Sequence, residues 1–96
     1  MVAVFVTFQY ANDFNEAKVR KIAQEASGKF QGMPQLRSKA FTVRTEAKCA
    51  TNVYLWDSED AAKAFFTDEL LARVTGLYGV RPSVEFAQVA ALVDNR

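Results

Sequence analysis

Lys39, Phe41, Asn52, Tyr54 and Trp56 are the residues on which chemistry could be built. They fall at alternate positions along two neighbouring stretches of strand-forming sequence. Alternate residues of a strand share a face, so a hairpin pairing these stretches would bring all five side chains together. Large aromatic rings with a few polar groups are what a pocket for a planar apolar ligand requires. Lys39 and Asn52 could hydrogen-bond a developing oxyanion there, and Tyr54 could relay a proton. The same stripe also suits a core or subunit interface, with Lys39 solvated. Arg73 and Arg81 flank the late glycines, where either could anchor a substrate carboxylate at a pocket mouth or serve as a solvated surface charge.

Other chemistry is narrowed by composition. The 96-residue chain has no histidine and one cysteine. The usual general base, haem ligand and commonest zinc ligand are therefore missing together. Carboxylates do not cluster at ligand spacing, so no metal site is expected. Cys49 has no histidine to activate it as a thiolate. Glu46, Glu69 and Glu85 are isolated; Glu85 would be a candidate base only if its strand face were the pocket face. No glycine-rich phosphate loop is present, so no cofactor is expected. Net charge is +1, and the basic cluster Lys18, Arg20, Lys21 is flanked by Glu16 and Glu25. That pattern describes a solvated helix face and not a nucleic-acid footprint. The apolar start, residues 1–8, lacks a basic segment and is too short for a membrane span. It reads as the first strand of a cytoplasmic protein.

The elements that would position these residues follow from pattern. Residues 2–10 alternate, with Val2, Val4, Val6, Phe8 and Tyr10 on one face and Phe5, Thr7 and Gln9 on the other. Apolar side chains on both faces predict a central strand. Asp13 with Glu16 has capping-box spacing, and Val19, Ile22, Ala23 and Ala26 recur at helical spacing, predicting a helix over 14–27 with Gly28 in the left-handed position after it. Strands are expected at 36–45 and 50–56, joined by the polar turn Glu46-Ala47-Lys48. Asp57 or Ser58 starts a second helix carrying Ala61, Ala62, Phe65 and Phe66, with a break near a second cap at Thr67-Asp68. A last strand is expected over 83–92. The order βαββαβ is the ferredoxin-like α+β plan, one domain over 1–96, with a four-stranded antiparallel sheet and two helices on one face. The other sheet face carries bulky apolar side chains and needs a cover, most simply a second copy of the sheet.

Lys39-Ala40-Phe41, the polar hairpin, Val53-Tyr54-Leu55-Trp56-Asp57-Ser58-Glu59-Asp60-Ala61, and Arg73 with Gly79-Val80 together resemble the YdhR-like monooxygenase family. That family belongs to the dimeric α+β barrel, or antibiotic-biosynthesis-monooxygenase, superfamily. The resemblance spans roughly residues 2–94. Phe41 stands where the family tends to have Trp, Thr51-Asn52 replaces a glycine pair, and Val43 falls where a carboxylate can occur. The resemblance implies a homodimer built by sheet-to-sheet packing, with a hydrophobic pocket between sheet and helices in each subunit. Some relatives use that pocket for cofactor-free oxidation of polycyclic phenols, and others for isomerisation, haem breakdown or no known reaction. The site implied here has Lys39, Asn52 and Tyr54 as catalytic groups and Phe41, Trp56, Phe65 and Arg73 as pocket walls. Three readings are open: a cofactor-independent monooxygenase acting on an aromatic or polycyclic phenol, a non-catalytic small-molecule-binding or stress-associated dimer, and an isomerase acting on a small organic acid or lactone. Inward polar side chains among Lys39, Asn52, Tyr54, Arg73 and Glu85 favour catalysis; a pocket filled by Phe41, Phe65 and Phe66 favours binding.

Overall fold

The computed structural model describes residues 1–95. β1 (Val2–Gln9) leads to α1 (Glu16–Ser27) and a 3-10 turn (Gly28–Phe30), then to β2 (Leu36–Arg44) and β3 (Cys49–Trp56). α2 (Glu59–Phe65), α3 (Asp68–Tyr78) and β4 (Ser83–Gln88) complete the chain. The strands form one antiparallel sheet in the order β2-β3-β1-β4. This is the ferredoxin-like α+β arrangement, with β1 central as its two-sided alternation predicts.

Register fixes the two faces. Val4 lies between Tyr54 of β3 and Phe86 of β4, and Val6 between Asn52 and Val84. Val2, Val4, Val6 and Phe8 are buried against the helices with Val19, Ile22, Ala61, Ala62 and Tyr78. The opposite face holds Ala3, Phe5 and Thr7 of β1 with Leu55, Val53 and Thr51 of β3. Among the described residues no helix covers it, and Phe5 is 37% exposed. Leu92 and Val93, both exposed, line a groove with Leu55 on this side.

Local starts and stops differ from expectation in three places. α1 is capped by Asn15, whose side chain accepts from the Lys18 amide at 3.0 Å, and not by Asp13. Starting there leaves Glu16 free to accept from Arg20 Nε at 2.7 Å and from Thr45. Gly28 is right-handed (φ −63°) and continues the chain into the 3-10 turn; the left-handed glycines are Gly32 (φ 72°) and Gly79 (φ 87°). The break expected near Thr67-Asp68 is present: α2 ends at Phe65, and Thr67 caps α3, accepting from the Leu70 amide at 3.1 Å. β4 ends at Gln88, opposite Val2; only the Val89 amide, bonded to the Met1 carbonyl at 3.1 Å, extends the pairing. Among the described residues, no helix is long and apolar enough to cross a membrane.

Candidate active site

β2 and β3 pair so that Phe41 faces Asn52, Lys39 faces Tyr54 and Leu36 faces Trp56. Directly paired residues point to the same side of a sheet. Lys39, Phe41, Asn52, Tyr54 and Trp56 therefore share the helix-covered face. The 3-10 turn hangs Phe30 over this group. Its ring centroid lies 6.0 Å from Phe41, 6.1 Å from Tyr54 and 6.1 Å from Phe65 of α2, all in edge or tilted geometry.

Lys39 occupies the middle of the rings. Its Nζ is 3.4 Å from the centroid of Phe30, 4.2 Å from Phe41 and 4.3 Å from Tyr54. Among the described residues no carboxylate pairs with it, and no acceptor bonds it. Burial away from water disfavours the ammonium and pulls the amine down to about 7. Burial acts oppositely on the phenols: it pushes Tyr54 and Tyr78 up, so both stay protonated at neutral pH.

Tyr78 is the residue that sequence reasoning missed. It closes α3, is buried, and stacks on Phe8 with centroids 3.7 Å apart. Asn52 Nδ2 donates to its hydroxyl at 3.3 Å, while Tyr10 donates to its carbonyl at 2.7 Å. With the Tyr78 oxygen already accepting, its own O–H remains to donate. The stripe Leu70, Val74, Tyr78, one residue every helical turn, was the available signal. Phe30 had none, since it depends on Gly28 continuing the helix.

A cavity of about 60 Å³ lies under these groups, walled by Phe30, Lys39, Phe41, Asn52, Tyr54, Phe65 and Tyr78 among others. A second, of about 130 Å³, opens between α1 and β2 and shares Phe41, Asn52 and Tyr78 with the first. A groove of about 370 Å³ on the outer side shares Phe30, Lys39 and Phe41. Phe41 thus borders all three spaces.

The remaining expected residues lie apart from the inner cavity. Trp56 is buried beneath it, 5.1 Å from Phe65 between centroids, and its Nε1 has no hydrogen-bond partner among the described residues. Arg73 is exposed on α3 and does not line it. Glu85 pairs with Phe5 and so belongs to the uncovered face. Among the described residues no group of three His, Cys, Asp or Glu side chains could hold a metal ion.

No family model matches the sequence, and neither does any curated protein. Solved structures do match. The chain is similar to the ActVA-Orf6 monooxygenase of Streptomyces coelicolor, solved with nanaomycin D, at 21% identity over 99% of this chain and 92% of that one, with a TM-score of 0.72. It is similar to NE2512 of Nitrosomonas europaea, a protein of unknown function, at 14% identity over 99% and 94% and a TM-score of 0.75. SnoaB of Streptomyces nogalater, a cofactor-independent oxygenase, matches at 13% identity over 96% and 95%, with a TM-score of 0.68. The fold is that of the antibiotic-biosynthesis-monooxygenase-like proteins. At such identities the likeness concerns backbone architecture, and chemistry has to be argued from the side chains.

Proposed function

We propose that this protein is a YdhR-like, cofactor-independent monooxygenase of the cytoplasm, acting as one domain on an aromatic or polycyclic phenol in the cavity between sheet and helices. The observation that carries this reading is the convergence of one free amine and two protonated phenols, with Asn52 behind them, on a single aromatic-walled space. In this chemistry the substrate supplies the electrons. Neutral Lys39 removes the phenolic proton, a transfer well matched to neutral pH by an amine near 7. The resulting ammonium and the Tyr78 O–H face the anion. The carbanionic form of the substrate reduces dioxygen and binds one of its atoms. Tyr54 or Tyr78 protonates the distal oxygen and regains its proton from the Lys39 ammonium; the O–O bond then breaks as the same carbon loses its remaining C–H proton to the departing hydroxide, which leaves as water, and the carbon becomes a carbonyl. The fold neighbours described as oxygenases support this reading by analogy.

Oxygen uptake tests it, using anthrones, hydroquinones and flavonols with no added cofactor. Turnover is expected with at least one of them, and kcat/KM should rise as pH increases through about 7. Lys39→Ala should lower kcat by roughly 10²-fold or more. Absence of uptake across the panel, or an unchanged Lys39→Ala enzyme, would sink the proposal. Cavities of about 60 and 130 Å³ are smaller than the roughly 300–1,000 Å³ that drug-sized ligands occupy. Phe41 and Phe65 crowd this space, which favours, as a second reading, a protein that binds a small aromatic compound without turning it over.

The proposal includes a homodimer formed sheet to sheet. The apolar surface of Ala3, Phe5, Val53 and Leu55, with exposed Leu92 and Val93 nearby, is what such packing would cover. Light scattering at micromolar concentration should return twice the chain mass; a 10.7 kDa particle would exclude the dimer.

A further inference from the structure

We propose that Lys39 is an imine-forming residue for planar aromatic aldehydes and ketones. This is a second reactivity of the same cavity, and it does not depend on oxygenation. Two surface lysines are tied up differently. Lys21 pairs with Glu25 at 3.8 Å and Lys63 with Glu59 at 2.8 Å. Lys39 instead meets three ring faces within 4.3 Å of its nitrogen and, among the described residues, no carboxylate. Lys39 lines both the inner cavity and the outer groove. A flat carbonyl compound entering by the groove would slide over Phe30 and Phe41 and present its carbonyl carbon to the nitrogen. Desolvation in an apolar pocket is a general way to make a lysine nucleophilic near neutral pH, and the amine is pulled down to about 7 here.

The step balances without a redox partner. The nitrogen lone pair attacks the carbonyl carbon, a C–N bond forms, and the C=O π pair moves to oxygen. A proton passes from nitrogen to that oxygen, giving the carbinolamine. Nitrogen then expels the hydroxyl group, which leaves as water after taking a proton from Tyr54, and the C=N bond forms. Tyr54 regains its proton from the iminium nitrogen. The products are imine and water. Tyr54 is placed for this role as the register partner of Lys39 on β3. The other titratable groups around Lys39 are Tyr78 of α3 and, in the groove, Arg37 of its own strand. α1, α2 and the 3-10 turn contribute only Ile22, Ala26, Ser27, Phe65 and Phe30, none of which titrates.

Reductive trapping tests the proposal. The intact protein is incubated with naphthaldehyde and cyanoborohydride at neutral pH, and adducts are located by peptide mass mapping. Lys39 should be alkylated at least about tenfold faster than Lys18, Lys21, Lys29, Lys48 or Lys63. The Met1 amine is mapped separately. The Lys39 rate should rise with pH through about 7. Lys39→Arg should remove that adduct alone, and Tyr54→Phe should slow its formation about tenfold. Equal labelling across the lysines of the wild-type protein would overturn the proposal whether or not the variants fold. Oxygen uptake without a Lys39 adduct would overturn the imine and leave the oxygenase; an adduct without uptake would do the reverse.

Discussion

Trp56→Ala is expected to lower the free energy of unfolding by about 3–5 kcal/mol. Trp56 is 2% exposed and is one of the largest fully buried side chains. Its ring lies nearly parallel to Tyr54 (6.1 Å, 13°) and tilted against Phe65 (5.1 Å). Truncation would leave a void under the floor of the candidate site, and the surrounding rings are anchored by both strands and α2. The indole also carries an opposing cost, because its buried Nε1–H has no acceptor among the described residues. An unmet donor of this kind costs about 1–3 kcal/mol. Trp56→Phe removes that donor along with part of the volume, so it should cost much less, about 1 kcal/mol or below. Equilibrium urea unfolding of both variants decides the matter. Circular dichroism is the suitable signal, since each substitution removes the chain's one tryptophan. A Trp56→Ala loss under about 1 kcal/mol would show that the packing described here is not what holds the sheet and α2 together.

Lys39→Met should make the protein more stable at pH 6, by about 1–3 kcal/mol, and the gain should vanish towards pH 10. The amine titrates near 7 in the folded chain and near its ordinary 10.5 when unfolded. Between those values the unfolded chain binds the extra proton, so wild-type stability climbs with pH across that window. Below about pH 7 the full cost of a buried ammonium is present. The three ring faces return part of what desolvation takes, which keeps the expected gain below the bare shift. Urea midpoints of both proteins from pH 6 to pH 10 supply the comparison. Parallel curves would mean that Lys39 keeps its ordinary protonation in the folded state.

Much of the architecture was legible because simple periodicities carried it. Val2, Val4, Val6 and Phe8 alternate without interruption, and the apolar residues between them mark β1 as internal. Ser58 and Thr67 announced helix starts by residue type, and both act as caps. Asn15 and Asp13 are equally good cap residues two positions apart. What separates them is which start points Val19 and Ile22 at the sheet, a tertiary condition. Gly28 was misjudged because glycine permits the left-handed conformation without requiring it. That one residue decides where Phe30 sits, and therefore what surrounds Lys39. The lateral grouping of Lys39, Phe41, Asn52 and Tyr54 was readable from strand alternation. Which face would be the pocket was not, since both faces of β1 and β3 are apolar and only the helices distinguish them. Arg73 looked suitable by position near the glycines, but helical phase turns it to solvent.

The central place of β1 also sets an order of events during synthesis. β1 emerges first, yet its partners lie far along the chain: Val4 pairs with Tyr54 on one side and with Phe86 on the other. Contacts of such separation close slowly. Until β4 is made, one hydrogen-bonding edge of a Val- and Phe-rich strand has no intramolecular neighbour, a state prone to pairing with other chains. The antiparallel hairpin of β2 and β3, by contrast, joins residues only a few positions apart at its turn. The nascent chain should therefore hold the hairpin of the candidate site before it has a sheet to place it in.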